Sequence, residues 1–197
     1  MPRPNRLREQ RQRLLPVVAE AFAELGYRRA TTAELARRCG VQENILYRLW
    51  SDKKAMFIAS IDYAYQRAVA SWRSVLERGD DPHAAVLGLL EHEASHSGES
   101  GLHRLVFAGL NETDDPDIRA SLRRMYGRFH RFIHEQIARY REGAKTKGLP
   151  EAALSAWAIV ALGNLAHIGR DLHLLGIRAQ RRLIRTVGRF LLDGGAS

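Results

Sequence analysis

A chain of 197 residues with a formal net charge of +9 and one cysteine is long enough for a substantial core, and cannot form an internal disulfide or a multi-cysteine zinc site. The charge is uneven: twelve Lys and Arg stand against six Asp and Glu up to Lys54, and nineteen against sixteen beyond it. A basic excess alone would suit a membrane surface, RNA or DNA, and an arginine-rich start without an apolar run predicts a cytoplasmic protein with no signal peptide.

Residues 1–12 carry Arg3, Arg6, Arg8 and Arg11 with little apolar content, which predicts a basic arm along DNA or a frayed terminus, and composition leaves both open. A first helix follows with Leu14, Leu15, Val18, Phe22 and Leu25 on one face, ending at Gly26-Tyr27; Pro16 either opens its regular part or kinks an earlier turn. Thr31, with Glu34 three residues on, has the spacing of a capping box that satisfies two free amides and starts a short helix with Leu35 and Ala36 inward. Gly40 supplies the left-handed residue of a tight turn. From Gln42 a second short helix would bury Val41, Ile45, Leu46 and Leu49, leaving Glu43, Asn44, Tyr47 and Arg48 outward. Two short helices around a glycine turn, the second with a polar and cationic outer face, have the layout of a helix-turn-helix. The charge step coincides with this stretch, which favours double-stranded DNA.

Gly26-Tyr27, Thr31, Leu35-Ala36, Gly40-Val41, Leu46-Tyr47, Trp50 and Lys53 stand at the spacing of the TetR family of transcriptional regulators, which residues 10–57 resemble. Three positions depart from that pattern. Gln42 replaces a usual Ser and is a poorer N-cap, Asn44 replaces a usual small residue, and Leu49-Trp50 stands where a His-Phe type pair is common. Asn44 either bonds adenine bidentately or limits the approach of the helix to the bases. The resemblance implies DNA-binding roles for Thr31, Gln42, Glu43, Asn44, Tyr47, Arg48 and Lys53.

Beyond Asp52 the pattern is helical throughout. A long helix to about Leu76 carries Phe57, Ile61, Ala64, Ala68, Trp72 and Val75 on one stripe. Helices from Pro82 to His96 and from Leu102 to Leu110 follow, separated by a loop over Ser97-Gly98-Glu99-Ser100-Gly101. Another long helix starts at Asp115-Pro116 and ends near Gly148-Leu149-Pro150. Residues 151–175 are apolar on nearly all sides, which permits a membrane span but, in a chain of otherwise soluble composition, predicts a helix buried on two sides. The last helix, about Arg178 to Leu192, turns Leu183, Val187, Phe190 and Leu191 inward and Arg181, Arg182, Arg185 and Arg189 outward. The expectation is an all-α chain of about nine helices: a three-helix helix-turn-helix domain over residues 1–54 and a helical effector and dimerisation domain over 55–197.

The resemblance further implies a homodimer through the last two helices, a palindromic operator in double-stranded DNA, and a small-molecule effector in a cavity of the later helices. Those helices contribute Trp72, His103, Phe107, Asn111, Tyr126, His130, Trp157, Asn164 and His167, a mostly apolar inventory with a few polar groups; a filled helical core would use the same residues. His92 with His96, and His130 with His134, lie four apart, a spacing able to share a metal, so a metal-responsive regulator is one alternative to a ligand-released repressor, and a DNA-binding protein without a ligand is another. Without a Cys ligand or a compact ligand string beside them, these read as ordinary helical histidines, and no metal or cofactor is expected. Cys39 reads as a partly buried structural thiol. An enzyme has little support: Gly98-Glu99-Ser100-Gly101 runs into Leu102, not the nucleophile elbow, and Gly143 to Gly148 is followed by Leu149-Pro150 where a phosphate loop needs Lys and Ser or Thr.

Overall fold

The computed structural model describes residues 4–96, 101–142 and 149–193. Among them the chain forms nine helices and no strand: α1 (Pro4–Arg29), α2 (Thr32–Cys39), α3 (Glu43–Leu49), α4 (Lys53–Leu76), α5 (Pro82–His96), α6 (His103–Leu110), α7 (Pro116–Tyr140), α8 (Ala152–Asp171) and α9 (Ile177–Asp193). They cluster into two compact units, Met1–Ala68 with Ser100–Met125, and Val69–Glu99 with Tyr126–Ser197, so α4 and α7 each contribute residues to both.

In the first unit Leu14, Val18 and Phe22 of α1 are buried together with Leu35, Leu46, Trp50, Phe57 and Ile61, and α6 packs on α1 with Leu105 fully buried. Gly26 breaks α1 with φ 73° and ψ 170°, where a side chain would be strained. Tyr27 then stands against Phe57 at 4.9 Å, and Phe57 against Phe22 at 5.0 Å edge-on. The start of α4 is set by Asp52, whose Oδ1 accepts from the Ala55 amide at 2.7 Å.

The second unit packs α9 on α5 and α8, around Val86, Ile137, Tyr140, Ala156 and Leu192. Arg141 ties the end of α7 to this core. Its guanidinium donates to the carbonyls of Leu191, at 2.7 Å, and Leu192, at 3.1 Å, in the last turn of α9.

Several sequence expectations change. Arg6, Arg8 and Arg11 belong to α1 and not to an extended arm; Arg3 lies outside the described residues. Arg, Glu, Gln and Leu are all good helix formers, so the helix runs through them without an apolar stripe. Pro16 sits inside α1 and does not open it; Gln12, whose carbonyl loses its usual bond, is exposed and open to water. Val41 and Ile45 are only half-buried. The α7 helix ends at Tyr140, short of the expected Gly148, which with the rest of 143–148 lies outside the described residues, as does the loop over 97–100. The α8 helix stops at Asp171 instead of running to Leu175, because His173 takes a left-handed φ of 54° and the Leu174 amide bonds back to the Gly169 carbonyl at 2.8 Å. On α9, Phe190 points outward at 55% exposure, while Ile184, Gly188, Leu191 and Leu192 face inward.

At Gly79 a Cβ would lie 2.5 Å from the Ala85 Cα and 2.6 Å from its amide nitrogen, so the α4–α5 turn closes only over a glycine. Gly79→Ala is expected to lower stability by about 1–3 kcal/mol, through backbone that cannot yield like a side chain, in urea unfolding monitored by circular dichroism.

Candidate nucleic-acid interface

The helix-turn-helix is assembled by local signals. Thr31 Oγ1 accepts from the Glu34 amide at 3.2 Å and starts α2. The expected reciprocal half of the box is replaced: the Glu34 carboxylate holds Arg37 Nη2 at 2.7 Å and Arg38 Nε at 2.8 Å, and Arg38 also reaches Glu24 on α1 at 2.5 Å. Two guanidiniums outbid one exposed amide for the same charge. At the other end Gly40, with φ 63° and ψ 33°, closes α2: its amide bonds to the Arg37 carbonyl and that of Val41 to the Ala36 carbonyl. The α3 helix then begins at Gln42 with no side-chain cap bond, as its replacement of Ser predicts.

With Leu46 and Leu49 buried, α3 presents Glu43, Asn44, Tyr47 and Arg48 to solvent, with Gln42 at its head. Tyr47, 48% exposed, is held by a 3.0 Å hydrogen bond between its hydroxyl and Thr32 Oγ1. Arg48 Nη2 donates to Gln10 Oε1 at 3.4 Å, and the Arg11 guanidinium lies 5.5 Å from the Trp50 ring centroid, so α1 flanks α3 with cationic groups. Lys53 is half-buried, donating to the Tyr27 carbonyl at 3.0 Å with its ammonium 4.5 Å from the Tyr27 ring. Neighbouring Lys54 pairs with Asp117 at 2.6 Å and Asp115 at 3.2 Å, which raises its pKa. Thr31, Gln42, Glu43, Asn44, Tyr47 and Arg48 are all exposed, the last four on the outer side of α3, and Lys53 has its ammonium already engaged. Thr32, Gln10 and Arg11 adjoin α3; sequence reasoning passed over the first two, since nothing local marks a threonine as the partner of a tyrosine fifteen residues on.

The candidate effector residues divide between the units. In the first, the His103 and Phe107 rings meet edge-on at 5.8 Å, and exposed Asn111 donates to the Phe107 carbonyl at 3.4 Å. In the second, half-buried Tyr126 hydrogen-bonds Asn164, and burial raises its phenol pKa. His130 stacks on exposed Trp157 at 4.5 Å, its Nε2 3.0 Å from the Ala153 carbonyl. Trp72 packs on Phe129 and Phe132 at 5.4 and 5.5 Å. His167 is half-buried on α8, its Nδ1 closed to solvent. Glu93, which the sequence reading had not placed among these residues, accepts from Trp72 Nε1 at 2.6 Å. The His92 and His96 rings stack at 4.6 Å and those of His130 and His134 at 6.1 Å, but His92 Nε2 meets Ser71 Oγ at 3.1 Å and His96 Nδ1 meets the His92 carbonyl at 3.1 Å. Among the described residues no three His, Cys, Asp or Glu side chains converge as a metal site.

A capped helix, a left-handed glycine turn and a second helix with an exposed polar face, flanked by cationic side chains, define a helix-turn-helix DNA-binding protein. Residues 15–60 match the model of the bacterial regulatory proteins of the tetR family. The nucleoid occlusion factor SlmA of Pasteurella multocida is 29% identical over 147 residues, covering 70% of this chain and 71% of that protein. Among solved structures, a TetR-family transcriptional regulator from Cytophaga hutchinsonii superposes with a TM-score of 0.78 at 14% identity over 96% of both chains. The regulator FadR from Bacillus subtilis, solved with stearoyl-CoA, does so with a TM-score of 0.70 at 14% identity over 94% of this chain and 99% of that one. Residues 15–60 are thus the N-terminal DNA-binding domain of the TetR-family regulators, and the remaining helices share the fold of such regulators.

Two measurements probe this edge. Asn44→Ala is expected to change base preference, costing about 1–3 kcal/mol at one operator position, whereas Tyr47→Phe weakens binding to all sequences by a similar factor. Equal losses across all sites for Asn44→Ala would reduce that residue to packing or phosphate contact. Separately, Arg37 and then Arg38 hold the Glu34 carboxyl at about 2, below its ordinary 4.5. Because the folded value is the lower one, the stabilisation is present above about pH 4.5 and is lost as pH falls toward 2. The melting temperatures of the wild type and Glu34→Gln should therefore differ at pH 6, draw together below about pH 4.5 and converge only at about pH 2.

Proposed function

We propose that this DNA-binding regulator is a dimeric, cytoplasmic repressor. Residues 1–54 occupy a palindromic operator, and residues 55–197 dimerise through α8 and α9 and release the operator when a small, largely apolar molecule binds. The observation that carries the DNA-bound dimer is the pairing of an exposed polar face on α3 with an exposed apolar face on α8, where Leu154, Trp157, Leu165 and Ile168 lie at helical spacing. By length and composition α8 is apolar enough to cross a membrane. Its opposite face, Ser155, Ala156, Leu162, Ala166 and Gly169, is buried within the chain, and the exposed face suits a second copy better than lipid.

For the switch, α4 is the relevant element, since one helix begins beside α3 and continues into the second unit. A ligand that favours a different tilt of α4 alters the separation of the two recognition helices, which operator spacing fixes. By reciprocity it binds the DNA-free dimer more tightly, and a coupling of about 1–3 kcal/mol releases the operator roughly 5- to 150-fold. That FadR has been solved with stearoyl-CoA supports an effector of some kind in this fold.

Sedimentation and operator titration test the dimer together. Leu165→Glu, at a position 52% exposed, is expected to give monomers and to weaken operator binding at least about tenfold, through loss of simultaneous half-site contact. Wild-type log affinity should fall steeply and linearly with log salt. A flat salt dependence would reject the phosphate contacts assigned to the basic edge, and a dimer that survives Leu165→Glu would reject the α8 interface.

A further inference from the structure

Glu93 is an acid in an apolar setting. Its carboxyl is largely withdrawn from water, although the residue keeps a limited opening to solvent. Oε1 is bonded to Trp72 Nε1 at 2.6 Å, and the Trp72 ring is packed against Phe129 and Phe132. Burial pushes the Glu93 pKa up, and the Trp72 bond and the His96 imidazole one turn away only oppose this. Among the described residues no Lys or Arg is paired with it. The acids of the exposed surface behave differently: Glu34 and Glu91 each have a guanidinium within bonding distance. A single indole N–H satisfies one of about four acceptor positions on a carboxylate and supplies no charge. Such a group is costly in a folded core unless it is neutral or unless something else brings the cation.

The aromatic neighbours match that second requirement. Indole and phenyl faces attract organic cations through their negative quadrupole, and do so most strongly where water is excluded. Alkylammonium ions are weakly hydrated and lose little on entering such a place, while a bare metal ion would need several oxygen ligands that are not gathered there. Tyr126, one turn before Phe129 on α7, and its partner Asn164 add a polar edge in the same unit.

We propose that Glu93, Trp72 and Phe129 form the charge-reading end of the effector site, and that its ligand is an apolar organic cation, an alkylammonium or aryl-ammonium compound. The ammonium lies against the faces of Trp72 and Phe129 and is neutralised by the Glu93 carboxylate. This rests on the effector reading above and narrows its ligand from any small apolar molecule to a cationic one.

Calorimetric titration of the full chain with hexyltrimethylammonium, 1-hexanol and hexanoate tests it. The cation is expected to bind saturably and at least about tenfold more tightly than either control, a preference of the size one desolvated cation–π and ion-pair contact supplies. Glu93→Gln keeps the shape and an oxygen to accept from Trp72 but removes the charge. It should cost the cation at least about tenfold while leaving hexanol unchanged. A cation that binds no better than hexanol, or equally well to Glu93→Gln, overturns the proposal. The ranking of the three probes on the wild type decides alone if the variant does not fold. Operator affinity measured with and without the bound cation separates the two claims: binding with unchanged operator affinity keeps the Glu93 site and removes its effector role.

Discussion

The arrangement of the DNA-binding edge depends on a small aromatic lock. Gly26 turns the chain out of α1, and Tyr27 then lies against Phe57 at the start of α4, with Phe22 beneath both. The ammonium of Lys53 closes it from above, bonded to the Tyr27 carbonyl and set against the ring. Each aromatic pair contributes about 0.5–1.5 kcal/mol beyond burial, so the cluster rivals the effect of a helix cap several times over. Its geometric consequence matters more. The end of α1 and the start of α4 are fixed to one another, and α2 and α3 must span that gap.

The α3 helix needs such a frame, because it could not stand alone. It has seven residues, far below the length at which an isolated helix is stable in water, and its N-cap makes no side-chain bond. Stability comes from its inner side, where Leu46, Leu49 and Trp50 are buried, and from the Thr32–Tyr47 bond, which pins one outward side chain to α2. The division of labour is therefore by face. Glu43, Asn44 and Arg48 are outward and contribute little to the fold, so substitution there leaves the buried side of α3 intact. A buried inner face with an exchangeable outer one lets one scaffold serve many operators.

Legibility followed the range of the signals. The α2–turn–α3 stretch was readable because Thr31, Gly40 and the Leu46/Leu49 spacing act within a few residues, and Asp52 marks the start of α4 in the same way. Chain ends without such markers were misjudged: the Arg-rich start is helical from Pro4, and α8 is stopped by His173, a non-glycine residue in a left-handed conformation that no pattern announces. Phe190 was turned inward because Leu191 and Leu192 beside it allow two registers for the apolar stripe, and the inward glycine at 188, packed on Leu90, carries no hydrophobic signal. Glu93 is a related case, since its place in sequence marks it only as a carboxylate beside the His92 and His96 pair. A glutamate on a helix reads as a solvated charge, and only its contact with Trp72, twenty-one residues away, shows that it is not.

The α8 helix shows how apolar composition and apolar position diverge. Its buried positions are mostly small residues, Ser155, Ala156, Ala166 and Gly169, joined by Leu162 and by half-buried Ile159, which packs on the Val86–Ile137 cluster. Four other large residues, Leu154, Trp157, Leu165 and Ile168, face out. In an isolated globule the opposite distribution would bury more surface, since a leucine withdrawn from water stabilises by about 1.5–3 kcal/mol and an alanine by much less. Small residues inward let α8 approach its neighbours closely, while large ones outward gain nothing until another surface covers them. Since the same stripe continues past the helix end to exposed Leu172, Leu174 and Ile177, the uncovered area extends from α8 to the first turn of α9. A second copy presenting the same stripe is the occupant proposed above, and a two-fold axis between the copies would relate the two α3 helices symmetrically, as a palindrome requires.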